Sequence, residues 1–163
     1  MDELRLAKAR LRDLARSKPT AKRRAEVEAL LQSKWEGVQV SAANVLAVWG
    51  GHESVSALRR WLSEGTQRDD ALEALGKCVG DDDVEWALDR YFKDFADPKQ
   101  RNARAFWPLV VGLPREPTLA LLRREAKQGS VNREAASVAL KWIKEDDQWL
   151  REHPRSERIY QRP

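Results

Sequence analysis

The sequence predicts an all-α fold made of stacked helix pairs, and three observations carry that expectation. First, a block of small residues, then a large apolar residue and usually a glycine, recurs around Leu46, Leu75, Leu109 and Leu140. These centres are 29, 34 and 31 residues apart, the period of a helix–turn–helix repeat. Second, the apolar residues between the blocks fall at the i, i+3, i+4 and i+7 spacing of amphipathic helices. Third, alternation at period two never persists, so no sheet is expected.

Residues 1–34 precede the first block. Leu4, Ala7, Leu11 and Leu14 form one helical stripe, and Lys18-Pro19 ends that helix because the residue before proline avoids helical geometry. Thr20 is placed to cap a second helix that runs through Val27, Leu30 and Leu31 toward Lys34. This pair reads as the terminal cap that a repeat stack needs. Repeats then fill 35–153, and residues 1–153 form one domain. Second helices present Val55, Leu58 and Leu62, then Val84, Leu88, Tyr91 and Phe92, then Leu119, Leu122 and Ala126. Where a glycine follows a block, it is suited to the left-handed conformation that ends a helix. Asp81-Asp82-Asp83 and Glu145-Asp146-Asp147 are expected directly before second helices, where carboxylates cap free N–H groups and complement the dipole. Residues 154–163, with two prolines and three arginines, read as a mobile tail.

Around Leu75 the chain reads Arg68-Asp-Asp-Ala71-Leu72-Glu-Ala74-Leu75-Gly76, and around Leu46 it carries Ala42-Ala43, Leu46 and Gly50. This pattern resembles the first helix of HEAT-like repeats, particularly the bilin-lyase type. The copy at 67–80 matches best and that at 38–50 next, while 101–112 departs with Pro108 where alanine is usual. The resemblance covers roughly residues 35–150. It implies a short right-handed α-solenoid of HEAT-like helix pairs, with second helices on the concave face. One architecture of this kind serves many tasks, so the resemblance speaks to fold rather than function.

Composition narrows the function classes. A lone cysteine, Cys78, excludes an internal disulfide and a cysteine-rich zinc site, which makes the cytoplasm the default compartment. No apolar run approaches the roughly 20 residues of a membrane helix, and the charged N-terminus has no apolar signal core. The net charge of +4 is uneven. Residues 1–34 hold ten Lys and Arg against five Asp and Glu, whereas residues 35–153 hold 17 against 20. Such asymmetry points to an anionic partner.

Two basic features are candidate contacts for that partner. After the core leucine of each second helix come Arg59 and Arg60, then Arg90 beside Tyr91, then Arg123 and Arg124, a ladder expected on the concave face. The first helix carries a second stripe of Arg5, Lys8, Arg12 and Arg16. Either set also reads as a solvated helix surface. Trp35, Trp86, Trp107, Trp142 and Trp149 are not fixed by the repeat pattern, whereas Trp49 and Trp61 read as packing. His52-Glu53 is a single pair, where the HEAT-like hydroxylases hold iron with several, and it reads as an exposed loop pair. The acidic clusters read as caps rather than a calcium or magnesium site. No nucleophile motif, phosphate loop or dinucleotide pattern occurs, so no catalytic residue, metal or cofactor is expected. The expected function is non-enzymatic binding of an acidic macromolecule, in the first place a protein segment, on the concave face. The alternative is nucleic-acid binding through the ladder and the basic first helix, with a DNA-glycosylase-like enzyme as a subcase. Membrane binding is not expected, and these residues do not fix an oligomeric state.

Overall fold

Nine α-helices account for the apolar periodicity among the described residues, which are 3–65, 67–100 and 102–153 of the computed structural model. They are α1 Glu3–Ala15, α2 Ala21–Leu30, α3 Glu36–Trp49, α4 Gly51–Glu64, α5 Arg68–Gly76, α6 Val84–Ala96, α7 Trp107–Gly112, α8 Arg115–Glu125 and α9 Arg133–Glu152. No strand occurs among these residues. The expected tail at 154–163 lies outside them.

Local chemistry sets several helix ends. The Thr20 hydroxyl accepts from the Arg23 N–H at 3.3 Å and starts α2. Gly50, at φ +63°, separates α3 from α4, a turn that other residues adopt at a cost. Asp81–Asp83 form a 3-10 turn before α6, and the Asp83 carboxylate accepts from the Gly80 N–H at 2.9 Å. Pro108 stands in the first turn of α7, where its missing N–H has no intrahelical partner to lose. The departure of this block from the repeat pattern is therefore a short first helix, preceded by a 3-10 turn at Ala103–Phe106.

The odd-numbered helices pack in chain order, α1 on α3, α3 on α5, α5 on α7 and α7 on α9. The even-numbered helices pack on this row, α2 on α3, α4 on α3 and α5, and α8 on α9. A continuous cluster of buried side chains runs from Leu11 to Ile143. Leu46, Leu75 and Leu109 lie at its centre, each fully buried. Leu140 is only half-buried against it. Leu75→Ala is expected to cost about 2–5 kcal/mol, the usual range for emptying a packed leucine site. The exposed Arg60, paired with Glu28 at 2.8 Å, should cost under about 0.5 kcal/mol as Arg60→Ala. Denaturant melts of the two variants check the contrast, and equal losses would make Arg60 structural.

Two expectations about helix ends are corrected. Glu145-Asp146-Asp147 do not precede a helix, because α9 continues unbroken through them to Glu152. Asp146 is buried and Asp147 half-buried, and both accept from the Arg115 guanidinium at 2.9 Å. Their role is to anchor α9 to the start of α8. Gly76, Gly80 and Gly112 are not left-handed helix ends either, since none has a positive φ. At Gly76 and Gly112 the missing side chain serves close packing instead, because α5 and α7 meet there backbone to backbone.

Candidate functional site

The first helix divides its surface by residue type. Leu11 and Leu14 are buried, and Leu4 and Ala7 pack partly on the core. Arg10 turns toward α2 and donates to the Glu26 carboxylate at 2.9 Å, which holds that carboxyl below its ordinary range. Arg5, Lys8 and Arg12 are left on another side. That side faces α3, which runs alongside α1 in the same direction. At one end Lys34 lies 3.1 Å from Glu3, and at the other the Trp49 indole donates to the Ser17 carbonyl at 3.1 Å.

Between the two helices lies an open groove of about 720 Å³. Arg5, Lys8 and Arg12 line it from α1, with Gly37, Ser41 and Asn44 opposite on α3 and Leu11, Ala15 and Val45 completing it. No Asp or Glu is among these lining residues. Among the described residues, Arg5, Lys8 and Arg12 take part in no ion pair or side-chain hydrogen bond. Gly37 keeps the α3 wall low, because a side chain there would project into open space. The Asn44 amide oxygen accepts from Lys77 at 3.1 Å, which leaves its N–H groups to donate. Lys8 and Arg12 are about 6 Å apart along the helix axis. That spacing is close to the roughly 6.6 Å between alternate side chains of an extended strand. Arg16, the fourth member of the expected stripe, is exposed just beyond α1 and does not line the groove.

The ladder residues are placed differently. The Arg59 guanidinium lies 4.1 Å from the centre of the Trp86 ring on α6, while Arg60 reaches back to Glu28 on α2. Arg90 stands 3.7 Å from Asp94, a carboxylate that also takes Arg68. Arg124 stands 3.3 Å from Glu125. Arg123 lines a smaller cavity with Lys144, Asp147 and Arg151. Four of the five arginines therefore already have a partner within the chain. Tyr91 is corrected outright as a contact residue. It sits on the apolar stripe of α6, fully buried, and its hydroxyl donates to the Ala135 carbonyl at 2.8 Å. Burial pushes its phenol well above the ordinary range.

His52 and Glu53 are exposed in the first turn of α4 rather than in a loop. No group of three or more His, Cys, Asp or Glu among the described residues could hold a metal ion. Cys78 is half-buried, and burial pushes its thiol up to about 11. No helix among the described residues is long and apolar enough to cross a membrane.

The basic half of the groove was visible in the sequence as the Arg5, Lys8 and Arg12 stripe. The α3 half was not singled out, although Gly37, Ser41, Asn44 and Val48 form a stripe of small and polar residues ending in an exposed valine. In comparisons with known proteins, no family model, no curated protein and no solved structure matches the chain.

Proposed function

We propose that this protein is a non-enzymatic interaction module that holds an acidic segment of a protein partner in the groove between α1 and α3. The observation that carries the reading is three cations that pair with no acid among the described residues, lining one groove whose described lining has no carboxylate. Uncompensated positive charge of this kind steers and orients an anionic partner. A protein segment is favoured over nucleic acid by the rest of the surface. Leu11, Ala15 and Val45 give it apolar side chains, Val48 on the same α3 stripe is 76% exposed, and no aromatic ring lines it for base stacking. We read the framework as a short right-handed α-solenoid of HEAT-like helix pairs acting in the cytoplasm. The row of odd-numbered helices supports the solenoid, and stacked repeats make extended binding surfaces.

A labelled peptide alternating Glu and Leu, followed by fluorescence polarisation, tests the reading against a single-stranded oligonucleotide of equal charge. Replacing Arg5, Lys8 and Arg12 together by Gln should weaken peptide binding about tenfold. Each exposed pair contributes up to about 1 kcal/mol, and 1.4 kcal/mol is tenfold. The melt should stay nearly unchanged, as expected of surface positions. Replacing Arg60, Arg90 and Arg124 should leave binding within about twofold, because none of the three lines the groove. The reverse pattern would move the site back to the second helices. Tighter binding of the oligonucleotide, with a steep log–log salt slope, would make nucleic acid the partner.

A further inference from the structure

The seven tryptophans sort into three groups. Trp61 is buried in the core. Trp35, Trp49 and Trp86 are half-buried, and each has a cation of this chain over its ring: Lys34 at 4.4 Å, Arg24 at 5.7 Å and Arg59 at 4.1 Å. Trp107, Trp142 and Trp149 are also half-buried, yet among the described residues no Lys or Arg lies over any of them. These three converge on one cleft of about 660 Å³ between the start of α7 and the second half of α9. That volume falls within the range of about 300–1,000 Å³ usual for ligand sites.

The cleft is rich in carboxylates. Glu145 and Glu152 line it, as does Asp146, whose charge is taken up by Arg115. Arg104 also lines it; the exposed pair of Lys141 with Glu145 contributes little, so the balance among the lining residues is two carboxylates against one guanidinium. Lys141 stands 3.8 Å from Glu145, which is largely exposed, and Gln148 donates to Glu152 at 2.8 Å. Two of the indoles have aromatic neighbours that hold them in place. Trp142 packs on Tyr91 with ring centres 5.7 Å apart, and Trp149 stacks on His153 at 4.4 Å.

We propose that this cleft binds an arginine side chain presented by another protein. The face of an indole is electron-rich and attracts a cation, most strongly when the site is partly desolvated. A flat guanidinium also stacks on such a face while donating to a carboxylate in its own plane. The chain shows the same chemistry internally, with Arg59 over Trp86 and Arg24 over Trp49. The volume of the cleft leaves room for backbone on either side of the side chain. This surface lies on α7 and α9, away from the α1–α3 groove, and the proposal does not depend on what that groove holds.

Titration of the folded chain with the blocked tripeptide Gly-Arg-Gly, followed through the indole N–H resonances in a 1H–15N spectrum, tests it. The resonances of Trp107, Trp142 and Trp149 should shift together and saturably. The same tripeptide with citrulline in place of arginine, equal in shape and uncharged, should leave them unmoved. The double variant Glu145→Gln and Glu152→Gln, with an unchanged melt, should bind about tenfold more weakly, the effect of making charge-assisted bonds neutral. Trp149→Leu gives an independent arm and should weaken binding without affecting the Trp35 resonance. Equal binding of the citrulline peptide, an unaffected double variant, or shifts confined to the other tryptophans would overturn the proposal. So would binding of tetramethylammonium in the absence of any arginine response, which would assign the cleft to a different cation.

Discussion

Arg115→Ala is expected to cost about 3–5 kcal/mol of folding stability, the loss typical of removing one partner from a buried ion pair. Arg115 opens α8, a position where a cation gains nothing from the helix dipole. It stays there because its guanidinium joins three helices. One nitrogen donates to the Val111 carbonyl in the last turn of α7 at 2.7 Å, and the others donate to Asp146 and Asp147 of α9 at 2.9 Å. The Asp146 side chain is 2% exposed, so truncating Arg115 leaves a nearly buried carboxylate without its counter-charge. Asp147 is 41% exposed and loses much less, because solvent replaces its partner. The double variant Arg115→Ala and Asp146→Leu separates the two effects. It removes the stranded charge, so it should recover a large part of the loss, since replacing both members of a buried pair by apolar groups is often close to neutral. Denaturant melts measure both variants. A loss under about 1 kcal/mol for Arg115→Ala would place the pair with exposed ones of little net effect.

The same residues explain what could and could not be read in advance. Leu46, Leu75 and Leu109 were legible because helical spacing alone puts an apolar residue on the core side. The stripe of Arg5, Lys8 and Arg12 was legible because it lies on one helix. The acidic run at Glu145 invited a helix start, yet 131–153 contains neither glycine nor proline, and that absence was the available signal for one continuous helix. Nothing local distinguished arginines left open to solvent from arginines that hold the fold. Arg24, Arg68 and Arg115 reach Ser54, Asp94 and Asp146, which are 26 to 31 residues away and are three of the four buried polar side chains among the described residues. Such pairings depend on which helices become neighbours. Tyr91 was ambiguous for a related reason, since a tyrosine on an apolar stripe is a contact residue or a core residue according to whether a carbonyl awaits its hydroxyl. The Ala135 carbonyl does so here, 44 residues away.

Gly76→Ala should destabilise the protein by at least about 3 kcal/mol, at the upper end of what overpacking a core costs. Two effects oppose one another. Gly76 is the last residue of α5 and its φ is not positive, so alanine suits the backbone and is favoured by up to about 1 kcal/mol over glycine. Against this, a methyl group at Gly76 would overlap the carbonyl of Pro108 in α7. A methyl at Gly112, at the end of α7, would in turn overlap the carbonyl of Gly76. Both obstacles are backbone, so neither can turn aside as a flexible side chain would, and α5 and α7 would have to separate. That separation would open the core around Leu75 and Leu109, which are both fully buried. The overlap therefore outweighs the gain in propensity. Gly37 provides the internal control, since it lies in the first turn of α3 without a positive φ, and nothing stands within 4 Å of an added methyl. Gly37→Ala should leave stability unchanged or raise it by up to about 1 kcal/mol. Denaturant melts of Gly76→Ala, Gly112→Ala and Gly37→Ala on one background check the ordering. If Gly76→Ala matched Gly37→Ala, the two helices would not be in backbone contact, and the close α5–α7 approach would be wrong.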